Sequence, residues 1–149
     1  MRALYVITAG AAAIVWASAG FSQELPVAPF TAAQADAGRQ AFVQHCMVCH
    51  GDKLQGIGDA QKLVGKDFVD AWGHDTTKDL FSAVRVEMPQ DNPASLSDEM
   101  YLNLVAFLLH ANGARAGAAP LTAGTSVGIA GIITGGPSPD VAAGLKSAK

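Results

Sequence analysis

The chain has few charged and few aromatic side chains: 15% of its 149 residues are charged and 7% are aromatic. Its hydrophobic fraction of 50% nevertheless excludes a disordered, highly charged polypeptide. The formal net charge of −3 leaves no basic surface to neutralise phosphates, so nucleic acid is not an expected partner. A chain of this length is expected to form one domain.

Cysteine is also scarce, since the chain contains only Cys46 and Cys49. A disulfide between residues three positions apart would close a very small loop and constrain little of the chain. The spacing therefore indicates chemistry at the thiols rather than a structural cross-link.

The most prominent long hydrophobic run lies at the N-terminus. Arg2 precedes an uncharged apolar stretch over residues 3–16, and Ala17-Ser18-Ala19 follows it. These are the three parts of a secretory signal, so residues 1–19 are interpreted as a signal peptide cleaved after Ala19, which predicts a periplasmic protein. The alternative is an uncleaved segment that anchors the chain, and only in that case do we expect contact with a membrane.

A short leader precedes the first predicted helix. Residues 20–30 show no periodicity and are expected to be irregular. Thr31 and Gln34 fit a capping box, in which each side chain bonds a free backbone N–H at a helix start, so a helix is predicted over about 32–45. Gly38 lies inside this helix at some cost to its stability, which suggests that another helix approaches closely there.

Three further helices are predicted downstream, so the fold class is all-α. Shorter helices are expected near residues 66–72 and 78–86. The strongest helical pattern begins after Ser97, a natural cap, and ends at Asn112-Gly113. Glycine-rich and proline-containing loops separate these helices.

The composition changes after residue 113. Residues 114–149 are rich in glycine and alanine and contain no aromatic residue. Such a segment is expected to bury too little apolar surface to offset its ordering entropy. It is therefore predicted to be a flexible tail, with a docking segment for a partner as the alternative.

The two cysteines belong to the run Cys46-Met47-Val48-Cys49-His50. Two thiols at this spacing can each form a thioether to a vinyl group of one porphyrin, and the following imidazole can bind its iron. This C-x-x-C-H pattern is typical of c-type haem attachment. A closed zinc site would need four ligands, and a thioredoxin-like pair would need a βαβ context. The sequence therefore predicts one covalent haem c on Cys46 and Cys49, with His50 as an iron ligand.

The sixth iron ligand decides whether such a protein carries electrons or binds other ligands. The candidates are Met47, Met88, Met100, His45, His74 and His110. Met88 precedes Pro89, which biases its backbone toward an extended conformation. It also follows His50 by 38 residues, enough chain to reach the opposite face of the haem. Met88 is therefore predicted to be the axial ligand, with a histidine ligand or a core-filling Met88 as the alternatives.

With these motifs the sequence resembles a class I cytochrome c over residues 31–113. The matching positions are Gly38 and Phe42 before the cysteine motif, Leu63, Val64, Gly65, Phe68, Trp72, Met88, Pro89, Leu96 and Tyr101 after it, and Leu104, Phe107 and Leu108 in the last helix. The resemblance implies a few helices and loops wrapped around one haem. Where many relatives carry a proline before the Leu-x-Gly element, this chain has Gln61-Lys62, so the hydrogen-bond partner of His50 stays open.

The predicted function is that of a periplasmic single-electron carrier with His/Met ligation, and not of an enzyme. We expect other periplasmic redox proteins as partners, and the motif order resembles cytochromes found alongside quinoprotein alcohol dehydrogenases. Residues 31–113 carry eleven acidic and six basic side chains, a net charge of −5, which favours a basic or neutral partner. The alternatives are a haem c subunit of a larger periplasmic dehydrogenase or oxidase complex, and a haem peroxidase or gas sensor with a labile sixth ligand.

Overall fold

The computed structural model describes residues 26–146 of the chain. The predicted signal peptide and the first part of the leader lie outside these residues. The helices are α1 (Ala32–His45), α2 (Met47–His50), α3 (Lys66–Trp72), α4 (Thr77–Glu87), α5 (Asp98–Ala111), a 3-10 turn (Ile129–Gly131) and α6 (Pro139–Ala143). Within 26–146 the backbone forms no extended strand, which confirms the predicted all-α class. None of the helices described is long and apolar enough to cross a bilayer.

The helices begin at the caps that the sequence predicts. Thr31 Oγ1 accepts from the backbone N–H of Gln34 at 3.2 Å, and Gln34 Oε1 accepts from the N–H of Thr31 at the same distance. Thr76 and Asp79 form a second capping box at the start of α4, and Ser97 caps α5. These side chains satisfy N–H groups that the first turn of a helix leaves free. The predicted first and last helices are confirmed, and the two shorter ones agree within one residue.

The core is built around the crossing of α1 and α5. A Cβ atom placed on Gly38 would lie 1.8 Å from the backbone oxygen of Asn103 and 2.9 Å from Cβ of Phe107. The buried rings of Phe42 and Phe107 meet beside this point, with centroids 5.4 Å apart. The close approach of α5 is therefore the reason for a glycine in the middle of α1, as the sequence suggests.

Residues 114–146 fold onto the helices instead of forming a tail. Six of their large apolar side chains are at most 8% exposed: Leu121, Ile129, Ile132, Ile133, Val141 and Leu145. The N–H of Ile129 donates to the Asp75 carbonyl at 3.0 Å, and the N–H of Leu145 donates to the Asp52 carbonyl at 2.8 Å. The prediction of a flexible tail is therefore wrong over this range. The scattered apolar residues cannot build a core by themselves, but they bury themselves against a surface that the helices provide.

The described part of the leader, residues 26–30, is irregular as predicted but is held in place. The N–H of Ala28 donates to the Arg115 carbonyl at 2.8 Å, and the N–H of Gly117 donates to the Phe30 carbonyl at 2.7 Å. The side chains of Ala28 and Phe30 are buried. The leader therefore runs beside the start of the C-terminal segment.

We expect Val141→Ala to destabilise the protein by about 2 kcal/mol, because it removes fully buried methyl groups and leaves a cavity. Val127→Ala, in the same segment, is the matched control: Val127 is 36% exposed, and its loss costs about 0.5 kcal/mol or less. Urea unfolding followed by circular dichroism measures both. Equal stability of the two variants would contradict the packing of this segment.

Candidate functional site

The cysteine motif lies where α1 ends and α2 begins. Cys46 is the last residue bonded to α1, since its N–H donates to the Phe42 carbonyl at 2.9 Å. Its backbone then leaves the helical conformation, and α2 starts one residue later. The N–H of His50 returns to the Cys46 carbonyl at 2.9 Å. The two cysteines and the histidine therefore lie within one short turn, with Cys46 half-buried, Cys49 exposed and both thiols free.

The Cys46 thiol is not activated as the nucleophile of a redox dithiol would be. Burial, with a further contribution from Cys49, raises the pKa of the Cys46 thiol to about 11. Reactive dithiol pairs need a thiol pKa lowered toward neutrality. Residues 26–146 also contain no group of three or more His, Cys, Asp or Glu side chains that could hold a metal ion, whereas a closed zinc site needs four ligands. The geometry fits thioether formation better than either alternative.

His50 is buried and held in one orientation. It is 8% exposed, and its Nδ1 lies 2.8 Å from the Gln61 carbonyl oxygen. A carbonyl can only accept, so Nδ1 carries the proton and Nε2 keeps the lone pair that binds metals. The hydrogen-bond partner of His50, which the sequence left open, is therefore the Gln61 carbonyl. A backbone carbonyl serves as acceptor whichever side chain follows it, so the absence of proline at this position does not remove the hydrogen bond.

Met88 ends α4 in the extended conformation that the sequence predicts, with φ −121° and ψ 151°. The buried Tyr101 hydroxyl donates to the Met88 carbonyl at 2.6 Å and accepts from the N–H of Leu96 at 3.3 Å. α5 therefore fixes the main chain at Met88. Among the other candidates, Met47 and Met100 pack against the core, and His74 is exposed.

Comparison with known proteins assigns this arrangement to a family. A family model described as "Cytochrome C oxidase, cbb3-type, subunit III" matches residues 33–108, just over half of the chain. The chain belongs to this family. It is a class I c-type cytochrome, with a domain that binds haem c covalently and transfers electrons.

A solved structure with a similar region is the sulfane dehydrogenase SoxCD from Paracoccus pantotrophus. The two chains are 21% identical with a TM-score of 0.44, and the match covers 59% of the cytochrome and 51% of that chain. The cytochrome therefore matches about half the length of the solved chain. No curated protein matches the cytochrome significantly.

The residues of the cytochrome fit haem c. Two free thiols precede an imidazole whose Nδ1 is already bonded, which leaves Nε2 as the donor. Large apolar side chains are exposed beside Cys49: Val48 is 81% exposed, and Ile57, whose N–H donates to the Cys49 carbonyl at 2.9 Å, is 54% exposed. Val48 and Ile57 thus leave apolar side chains uncovered next to the two cysteines.

Sequence reasoning left open one group that shapes the site of the cytochrome and missed another. The resemblance points to the Gln61-Lys62 stretch, but it does not identify the Gln61 carbonyl as the acceptor, because every residue carries a backbone carbonyl. The Tyr101 hydroxyl does leave a signal, since a tyrosine predicted to be buried must find a hydrogen-bond partner. The sequence places Tyr101 on the apolar face of α5, but only the structure identifies Met88 and Leu96 as its partners.

Proposed function

We propose that this cytochrome is a periplasmic single-electron carrier. It holds one haem c through Cys46 and Cys49 and ligates the iron with His50 and Met88. The observation that carries the proposal is the 2.8 Å hydrogen bond from His50 Nδ1 to the Gln61 carbonyl, directly after two free cysteines. The signal pattern over residues 1–19 supports export to the periplasm.

Hydrogen bonds within the protein restrain both proposed iron ligands. The Gln61 carbonyl fixes the ring of His50 and keeps its Nδ1 protonated, while Tyr101 fixes the main chain at Met88. Bound haem supplies one-electron oxidation and reduction of its iron. With His50 and Met88 both holding the iron, the protein would leave no coordination position for a substrate, which favours an electron carrier over an enzyme.

The partners proposed are other periplasmic redox proteins, with a quinoprotein dehydrogenase as one candidate. The net charge of −5 over residues 31–113 favours partners with a basic or neutral docking surface. Attraction between exposed charges weakens as salt screens them. Electron transfer to such a partner is therefore expected to slow as the ionic strength rises.

Intact mass and optical spectra of the purified protein test this function. We expect a denatured chain that begins at residue 20 and carries the mass of one haem. Both oxidation states should be low-spin, the ferric state should show the methionine–iron absorption, and the reduced protein should not bind carbon monoxide. The Cys46→Ala/Cys49→Ala double variant is the control and should lose any haem on denaturation. A colourless wild-type protein, or rapid carbon monoxide binding, would overturn the proposal.

The family description favours a second function, because it names an oxidase subunit. The cytochrome would then be the haem c subunit of a larger periplasmic dehydrogenase or oxidase complex. Size-exclusion chromatography of the untagged protein from its native cells separates the two functions. A free carrier elutes at its own mass, whereas a subunit elutes with other proteins in a fixed proportion.

A further inference from the structure

The buried side chain of Asn112 joins two parts of the fold. Asn112 ends α5 and is 0% exposed. Its Nδ2 donates to the Leu63 carbonyl at 3.0 Å and to the Leu108 carbonyl at 2.9 Å, and its Oδ1 accepts from the N–H of Gly65 at 2.9 Å. Both amide hydrogens and the oxygen are thus used, and this set of partners fixes the amide orientation. The Asn112 side chain therefore also connects the end of α5 to the backbone of Leu63 and Gly65.

The two backbone groups that Asn112 bonds lie shortly after the residue that contacts His50. Leu63 follows Gln61, the acceptor for His50 Nδ1, by two residues. The N–H of Leu63 also donates to the carbonyl of the buried Leu54 at 2.9 Å, so Leu63 is fixed through both of its backbone polar groups. The position of the Gln61 carbonyl is therefore set from its C-terminal side by bonds to the side chain of Asn112, together with the Leu63–Leu54 backbone bond.

The other side-chain contacts of this segment restrain it less. The Gln61 side chain is exposed, and the Lys62–Asp67 ion pair at 3.0 Å joins side chains that are 44% and 59% exposed. Ion pairs exposed to this degree contribute little to stability. The bonds from the Asn112 amide are stronger restraints, because breaking them leaves a fully buried amide without partners.

We infer that Asn112 is a positioning residue for the axial histidine: it holds the Leu63–Gly65 backbone so that the Gln61 carbonyl keeps its hydrogen bond to His50. The inference rests on the proposed function, in which His50 ligates haem iron. A carbonyl that accepts from Nδ1 makes the imidazole a more basic ligand, which favours the ferric state. Loss of Asn112 weakens that bond, so the reduction potential rises and the ring proton of His50 exchanges faster with water.

Asn112→Leu in the haem-loaded protein tests the inference, since leucine has a similar volume and none of the three hydrogen bonds. We expect exchange of the His50 Nδ1 proton, measured by NMR in the reduced protein, to accelerate about tenfold or more. The reduction potential, from a redox titration, should shift upward. Asn112→Asp is the second variant: it retains an acceptor for the Gly65 N–H but loses the donor to Leu63, so the ring-proton exchange should again accelerate. Because the added carboxylate favours the ferric state by its charge, the potential is compared for Asn112→Leu alone.

Thr77→Val is the matched control. Thr77 is also buried, and its Oγ1 joins distant parts of the chain by donating to the Thr125 carbonyl at 2.9 Å and accepting from the N–H of Val127 at 3.2 Å. It does not bond the segment from Gln61 to Gly65. Thr77→Val should therefore lower stability without moving the potential or the ring-proton exchange.

Wild-type exchange and potential in a haem-loaded Asn112 variant would overturn the inference. Failure of both variants to load haem, while Thr77→Val loads it, would show a purely structural role and also overturn it. A wild-type protein without covalent haem or without His50 ligation would contradict the proposed function itself, so the two failures are distinguishable.

Discussion

We expect replacement of Met88 by leucine to lower the reduction potential and to open the iron to outside ligands. The thioether sulfur of an axial methionine favours ferrous iron, and leucine offers no donor atom. Axial ligation spans about 0.8 V of haem potential, so we expect a fall on the order of 0.1 V or more. A redox titration measures this fall. The ferric methionine–iron absorption should vanish, and the reduced variant should bind carbon monoxide.

Met100→Leu is the control for this experiment. Met100 lies in the first turn of α5 and packs against the core, so its loss removes a thioether without removing the predicted ligand. Its potential and spectrum should stay those of the wild type. The assignment of Met88 fails if Met88→Leu retains the methionine–iron absorption, or if Met100→Leu loses it.

Gly38→Ala prevents α1 and α5 from meeting at their present distance. The added Cβ would lie 1.8 Å from a backbone oxygen, that of Asn103, and no side-chain rotation can move that atom away. Overpacking in a core typically costs about 1–3 kcal/mol and occasionally more, and we expect about 3 kcal/mol or more here. The gain in helix propensity from glycine to alanine, about 1 kcal/mol, does not offset this cost. Thermal and urea unfolding measure the difference.

Gly128→Ala is the control for Gly38→Ala. A Cβ on Gly128 meets no heavy atom within 4 Å, and its φ of −61° suits alanine. We expect no loss, or a gain of about 0.4–1 kcal/mol through the smaller entropy of the unfolded chain. If Gly38→Ala were as stable as Gly128→Ala, the helix crossing described here would be wrong.

The helices were predictable because their signals are local. The capping box of Thr31 and Gln34 and the cap at Ser97 act within three residues, and the apolar stripe of α5 repeats with the helix period. Gly38 also indicated a contact between distant parts of the chain, because glycine destabilises a helix unless another segment packs closely against it. In the structure that segment is α5. These signals establish the helical core without any knowledge of distant contacts.

The C-terminal segment was not predictable in the same way. Ile129 and Val141 are separated by glycine, alanine and proline, so no period connects the apolar residues. Their burial depends on a surface built by earlier residues, such as the turn at Asp75, which accepts from Ile129. Composition alone counts the apolar side chains but does not show what they can be buried against.

In the candidate site, too, some groups were predictable from the sequence and others were not. Cys46, Cys49 and His50 follow from their spacing, and the extended backbone at Met88 follows from the proline after it. The Gln61 carbonyl was not predictable, because a main-chain group can accept from any histidine that the fold brings to it. The role of Met88 as a ligand remains a prediction, and the leucine variant decides it.

The pairing of residues 28–30 with residues 115–117 brings the beginning and the end of the helical core side by side. A unit whose two ends adjoin can be inserted into a host loop, or permuted, without rerouting its interior. In this chain residues 118–146 continue from that junction and pack back onto the helices, so they share one hydrophobic core with them.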